Sequence, residues 1–138
     1  MNRRQHLIEK WKAARNPEKG KPTGQVGTVI KCFNTHYADE NRWTVAVRYH
    51  GTNIVTYDGE GNVILNHGGW MTQTTKARIN QYAPHGIQVF QKDFEWYVRD
   101  TRNVPKTYPF GGSSNYNYQT VRHLLCNRDC CRPDACEA

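Results

Sequence analysis

The chain predicts an α+β domain, an antiparallel meander sheet of about five or six strands packed on one central helix, with a short basic helix in front. Three observations carry this prediction. From Trp43 to Asn66 apolar and polar residues alternate, and glycine-bearing turns punctuate the alternation. A threonine-rich segment then opens a run of helical length that stops at Ala83-Pro84. A second hairpin pattern follows from Ile87 to Val98. Strands in succession, then a helix, then strands again is the order of an antiparallel sheet with its helix segregated to one face.

The elements follow in chain order. Leu7, Ile8, Trp11 and Ala14 share one helical stripe, which predicts a short amphipathic helix at the N-terminus. Asn16-Pro17 and the run EKGKPTG break it into a linker. Residues 25–33 (QVGTVIKCF) read as a strand and THYADENR as a polar loop. Trp43, Val45, Val47 and Tyr49 alternate with Thr44, Ala46, Arg48 and His50, the period of a half-buried strand. HGTN turns the chain into NIVTY, DGEGN is an Asp-Gly hairpin loop, and Val63–Asn66 closes the meander. Thr72 or Thr74 caps a helix running to about Tyr82. The last hairpin places Gln91-Lys92-Asp93 at its turn and Phe94, Trp96 and Val98 on one face toward the helix. Beyond Asp100 no period is visible until a short helix near Tyr118 carrying Val121, Leu124 and Leu125. The expected organisation is therefore a basic helix and linker over residues 1–22, a core over 23–100, and a loop-rich, cysteine-bearing extension over 101–138.

Composition bounds the function. A chain of 138 residues has room for one modest core. Hydrophobic residues supply 37% and mean hydropathy is -0.87, so aromatics at 12% must contribute much of the buried area. No run has the length of a membrane-spanning helix and MNRRQHLIEKWK lacks a signal-peptide core, so a soluble, intracellular protein without a membrane partner is expected. The net charge of +7 is uneven: residues 1–22 hold seven basic groups against Glu9 and Glu18. Arg3, Arg4, Lys10, Lys12 and Arg15 thus form a candidate nucleic-acid arm, set against the simpler reading of a solvated helix face.

A second candidate is the junction GGWMTQTTKAR. Gly68 and Gly69 permit close approach of a ligand to the backbone, and Thr72, Thr74 and Thr75 add hydroxyl donors. The first helical turn has unsatisfied N–H groups and a dipole that favours anions, while Lys76 and Arg78 bring formal charge. Phosphate or nucleotide binding is the functional reading. A threonine cap that needs no ligand is the structural one, and the spacing is not that of a P-loop. A third candidate is the tail CNRDCCRPDAC, where His123, Cys126, Cys130 and Cys136 could clip zinc (Cys131 being an alternative to Cys130). Its spacing departs from the usual zinc forms, so a tail of free thiols is preferred and no cofactor is expected.

Tyr108, Phe110, Tyr116 and Tyr118 interleave with Arg102, Lys106 and Arg122, as on surfaces that stack single-stranded bases, or else they cap the sheet. Trp43, Trp70 and Trp96 are expected in the core. His36, His50, His67 and His85 show no paired-ligand spacing, and no nucleophile–base set or carboxylate pair stands out, so an enzyme is the least favoured class.

The runs YHGTNIV, NVILNHGGWMTQTTKARINQ and VFQKDFEWYV resemble a family of small proteins encoded by tailed bacteriophages. That family carries a YHGT turn, a VxLNxGGW strand, TxTTKxRMN and a QKDxxWYV hairpin; Ile79 stands where it has Met. The resemblance implies a phage or prophage protein acting in a bacterial cytoplasm or built into a virion, and it assigns no site residues. In that context the leading expectation is a non-enzymatic accessory protein that binds nucleic acid or a signalling nucleotide, with a role in host takeover or counter-defence and a pocket that a homo-oligomer could build. A structural virion component and a protein-binding inhibitor of a host enzyme are the alternatives.

Overall fold

The computed structural model describes residues 3–59, 62–69, 71–102 and 104–110, and the backbone of 115–117. The order is α1 (Arg3–Lys12), β1 (Lys21–Pro22), β2 (Thr28–Phe33), a 3-10 turn (Glu40–Arg42), β3 (Thr44–Tyr49), β4 (Thr52–Tyr57), β5 (Val63–Asn66), α2 (Gln73–Tyr82), β6 (Ile87–Lys92), β7 (Glu95–Asp100), β8 (Lys106–Pro109) and β9 (Asn115–Asn117). The α+β class and the antiparallel meander are present. The single sheet on one central helix is not: the strands divide into a six-stranded sheet, β1-β2-β3-β4-β5-β9, and a three-stranded sheet, β6-β7-β8. The reason lies in the segment after Asp100. It supplies β8 to the free edge of β7 and β9 to the free edge of β5, so each hairpin system is completed separately.

Antiparallel register makes one face of the large sheet continuous. Ile30 lies opposite Val47, Val47 opposite Val55, and Val55 opposite Leu65. These four, with Val45, Tyr57 and Val63, are buried in one core. A bulge at Val47/Arg48 leaves Ile54 as the extra residue of β4, and it is buried too. Both helices contribute to this core, Leu7 and Ile8 from α1, and Ile79 and Tyr82 from α2. From the small sheet come Ile87, Val89, Trp96 and Val98, which alternate with outward residues along β6 and β7.

Two tight turns show how local sequence sets register. Tyr49 pairs with Thr52, so His50-Gly51 is a two-residue turn with both φ positive (47° and 84°). Lys92 pairs with Glu95, so the other turn is Asp93-Phe94, again with both φ positive (52° and 67°). That register corrects the expected turn at Gln91-Lys92-Asp93. Phe94 is at the hairpin tip, 95% exposed, while Trp96 and Val98 keep their predicted inward face.

The helix is joined to the second hairpin by side chains. Asn80 Nδ2 donates to the Val89 carbonyl at 2.9 Å and its Oδ1 accepts the Val89 N–H at 2.7 Å, which occupies both backbone groups of a β6 residue. Lys76 Nζ donates to Gln91 at 3.0 Å and lies 5.4 Å from the centre of the Trp96 ring. On the opposite flank Arg3 Nη1 donates to the Gln81 carbonyl, linking α1 to the end of α2.

Candidate functional site

At the start of α2 the donors expected to meet an anion mostly have protein partners. The N–H of Gly68 goes to Asn66 Oδ1 at 2.7 Å and that of Gly69 to His67 Nδ1 at 3.0 Å. Gly68 has φ +61°, and a Cβ there would stand 2.5 Å from Thr52 Oγ1, so a close strand contact already explains this glycine. Thr72 is the N-cap: its Oγ1 accepts the Thr75 N–H at 3.2 Å and lies 3.1 Å from the Thr75 hydroxyl. Thr75 is fully buried; Thr74 is exposed. Lys76 and Arg78 are two positions apart, so they leave the helix about 200° apart around its axis. They flank the buried stripe of Thr75, Ile79 and Tyr82 rather than converging. Arg78 is half-buried, and its Nε has no hydrogen-bond partner among the described residues.

The basic N-terminal residues belong to a docked helix. Arg4 Nη2 donates to the carbonyls of Glu40 (2.7 Å) and Trp43 (2.6 Å), closing the 3-10 turn against α1. Lys12 is exposed and bridges Glu9 at 3.1 Å and Glu40 at 2.6 Å; the Glu40 and Glu9 carboxylates hold its ammonium above the usual lysine range. Three of the five arm cations, Arg3, Arg4 and Lys12, thus serve tertiary contacts. Lys10 and Arg15 are exposed and have no polar partner among the described residues. Lys10 borders a cavity of about 220 Å³ with Arg3, His6, Leu7, Gln81 and Tyr82. Lys10 therefore sits at the seam between α1 and the end of α2, and Arg15 follows the helix.

A further polar cavity, about 240 Å³, is lined by Asn34, Tyr37, Arg42, Thr44, Asp58 and Gly59. The Arg42 guanidinium carbon sits 3.7 Å from the centre of the Tyr37 ring. The His36 ring is 4.3 Å from the same ring, and Trp43 Nε1 donates to the Tyr37 carbonyl at 2.8 Å. Sequence reasoning passed over this region as a polar loop. The signal that could have found it is an aromatic and a cation bracketing an Asp-x-x-Arg turn, in which Asp39 accepts the Asn41 N–H.

The remaining candidates separate. Phe110 is 1% exposed and packs edge-on to His67 at 5.0 Å, so it belongs to the core and not to a stacking surface. Tyr108 packs against that core, and Arg102 forms a two-point pair with Asp100. His67 is a buried, structural histidine whose ring also meets Trp96 edge-on at 5.8 Å. Trp96 is in the core and Trp43 packs on it; Trp70 lies outside the described residues. So do Tyr118, Arg122, the helix expected near Tyr118, the alternative Cys131, and the zinc candidates His123, Cys126, Cys130 and Cys136. Among the described residues no cluster of three or more His, Cys, Asp or Glu could hold a metal. Burial pushes the Cys32 thiol up to about 12 and raises the Tyr57 phenol, which donates to the Tyr82 carbonyl. Among the described residues no helix is long and apolar enough to cross a membrane.

Compared with known proteins, residues 26–117, more than half of the chain, match the profile of one family, described as Kyanoviridae Gp96 protein. No curated protein and no solved structure matches. The matched segment starts after β1 and ends with β9, so it takes in β2 to β9 and α2.

Proposed function

The chain belongs to the Kyanoviridae Gp96 protein family, proteins of tailed phages, and on that footing we propose that it is a non-enzymatic accessory protein that binds nucleic acid during infection through the basic face of α1 and the segment after it. The observation that carries this reading is the division of labour among the N-terminal cations. Arg3, Arg4 and Lys12 anchor the helix, so Lys10 and Arg15 project from a fixed surface without protein partners among the described residues. Exposed Lys19 and half-buried Lys21 continue the positive stretch. A backbone fixed by tertiary contacts presents these cations with no ordering cost of its own, and a cluster of one sign attracts a polyanion over several ångströms. Thr72 and Thr75 support the fold in this reading, because their hydroxyls are paired with each other and the neighbouring glycine N–H groups have acceptors.

The test is fluorescence anisotropy with a labelled single-stranded oligonucleotide at low salt. Lys10→Glu with Arg15→Glu is expected to weaken binding at least tenfold with an unchanged unfolding midpoint. Unchanged affinity in that variant would overturn the proposal.

A second reading has one observation in its favour. Phe94, 95% exposed at a hairpin tip, is the kind of apolar point that protein partners bury, which suits the inhibitor of a host protein. Loss of a co-purifying host protein on Phe94→Ser would favour it.

A further inference from the structure

We propose that the outer face of the β6–β7 hairpin is a stacking platform for the bases of a single-stranded nucleic acid, with Phe90 and Tyr97 as the central pair and Phe94 as a second contact at the tip. The proposal rests on the reading of the chain as a nucleic-acid binder and adds to it the kind of strand, through residues that the basic face does not use.

Period-two alternation decides which residues reach this face. Ile87, Val89, Trp96 and Val98 are buried, so Gln88, Phe90 and Lys92 of β6 and Glu95, Tyr97 and Arg99 of β7 stand on the other side. Register places Gln88 opposite Arg99, Phe90 opposite Tyr97 and Lys92 opposite Glu95. The Phe90 and Tyr97 rings, both half-buried, stack with centres 5.6 Å apart and planes 26° apart. Each ring gives at most one face to the other, and among the described residues no other ring and no cation stands against either. Exposed Pro109 of β8 lies opposite Tyr97 and extends the apolar floor.

A cross-strand aromatic pair also serves a sheet that binds nothing. Three features of this hairpin go beyond that. The first is its tip, where Asp93 and Phe94 have φ of 52° and 67°, a conformation that suits glycine and strains a bulky aromatic. The Phe94 ring is nevertheless 95% exposed, so no packing within the described chain offsets the strain. Strain kept at an exposed ring points to a contact with another molecule. The second feature is polar. Arg99 and Gln88, exposed on the rung beside the aromatic pair, have no hydrogen-bond or ion-pair partner among the described residues. A guanidinium and an amide are the groups that hydrogen-bond the edge of a base stacked next to them. The third is continuity. A cavity of about 290 Å³ has both Arg3 of α1 and Gln88 of β6 in its wall, and the cavity bordered by Lys10 shares Arg3 with it. The carboxylates Asp93 and Glu95 lie at the far end of the hairpin, so its cationic end is the one next to α1. A polyanion that meets the basic face is thereby led toward Gln88 and Arg99, and its bases toward Phe90 and Tyr97. A duplex keeps its base faces stacked inside, so the platform selects a single strand.

The test compares two probes of equal charge on the full chain, a short oligothymidylate and an abasic strand of the same length. Oligothymidylate is expected to bind at least about fivefold tighter, the share that base stacking supplies. In NMR spectra of the isotope-labelled chain the ring-proton signals of Phe90, Tyr97 and Phe94 are expected to move upfield with oligothymidylate and to stay in place with the abasic strand. Phe90→Leu and Tyr97→Leu keep apolar bulk and lose the aromatic face. Each is expected to weaken oligothymidylate at least about fivefold and to leave the abasic strand unchanged. The ring signals of the parent decide the matter even if these variants fail to fold. Equal affinity for the two strands, ring signals that stay in place, or folded leucine variants that bind like the parent would overturn the proposal. Lys10→Glu with Arg15→Glu separates it from the α1 reading, under which both probes weaken alike. That loss together with equal affinity of the parent for the two strands would leave the α1 reading and remove the platform. A preference for oligothymidylate that depends on Phe90, with affinity untouched by the α1 charges, would do the reverse.

Discussion

Removal of the Thr72 hydroxyl distinguishes a structural cap from a ligand site. Thr72 Oγ1 accepts the Thr75 N–H at 3.2 Å and sits 3.1 Å from the Thr75 hydroxyl, which is fully buried. Thr72→Ala therefore loses a helix cap, about 1 kcal/mol. It also leaves a buried hydroxyl without that partner, on the order of another 1 kcal/mol. The sum is about 2 kcal/mol, and at roughly 4 °C per kcal/mol for a chain of this length it lowers the unfolding midpoint by about 8 °C. Thr72→Ser keeps the acceptor and stays within about 0.5 kcal/mol of the parent. Thr74→Ala, on the exposed side, stays within the same margin. Urea unfolding followed by tryptophan fluorescence reads all three. Thr72 and Thr75 are in contact, so Thr72→Ala with Thr75→Val is expected to cost less than the two singles together, by about 1 kcal/mol. A Thr72→Ala protein as stable as the parent, or a Thr74→Ala protein as weak as Thr72→Ala, would refute the cap.

Three further outcomes follow from the same geometry. Asn80→Ala strips the Val89 N–H and carbonyl of their side-chain partner and is expected to lower stability by about 2 kcal/mol in the same urea assay. Phe94→Gly relieves a bulky residue at φ 67° and is expected to raise stability by about 1 kcal/mol; a loss would mean that Phe94 packs on something. Cys32 is pushed up to about 12 by burial, so in the folded chain it should resist alkylation at pH 8, as read by peptide mass mapping, and react on unfolding in urea. Its folded value lies above the unfolded one, so its contribution to stability is complete below about pH 9 and declines as pH rises toward 12.

What the sequence revealed, and what it hid, has a physical pattern. The meander was legible because β3, β4 and β5 alternate with period two and their turns carry glycine. The helix was legible because Thr72 and Ala83-Pro84 mark its ends. The division into two sheets was hidden because β8 and β9 lie in a stretch rich in turn residues, where pairing and not periodicity makes the strand. The turn at Asp93-Phe94 was placed too early, at Gln91-Lys92-Asp93, because a bulky aromatic in the left-handed region is a rare choice. At the helix start the residue types suggest anion-binding chemistry. Only the structure shows that Asn66, His67 and Thr72 accept those donors first, and that Lys76 turns to Gln91 and Trp96. The runs TTKARIN and VFQKDFEW are therefore in contact with each other: Asn80 of the first holds Val89, and Lys76 meets Gln91 and Trp96 of the second. The Arg42 cavity was invisible because it joins residues 34–44 to the Asp58-Gly59 turn across β3 and β4.

The central claim is that a fixed basic face binds nucleic acid, and its salt dependence tests this most directly. Affinity for a single-stranded oligonucleotide should be measured between roughly 50 and 300 mM salt. With Lys10, Arg15, Lys19 and Lys21 each meeting a phosphate, the account predicts a slope of log K against log salt of about −3. It also predicts a flatter slope, by about 0.7 for each charge removed. A slope near zero, or no binding even at the lowest salt, would contradict it.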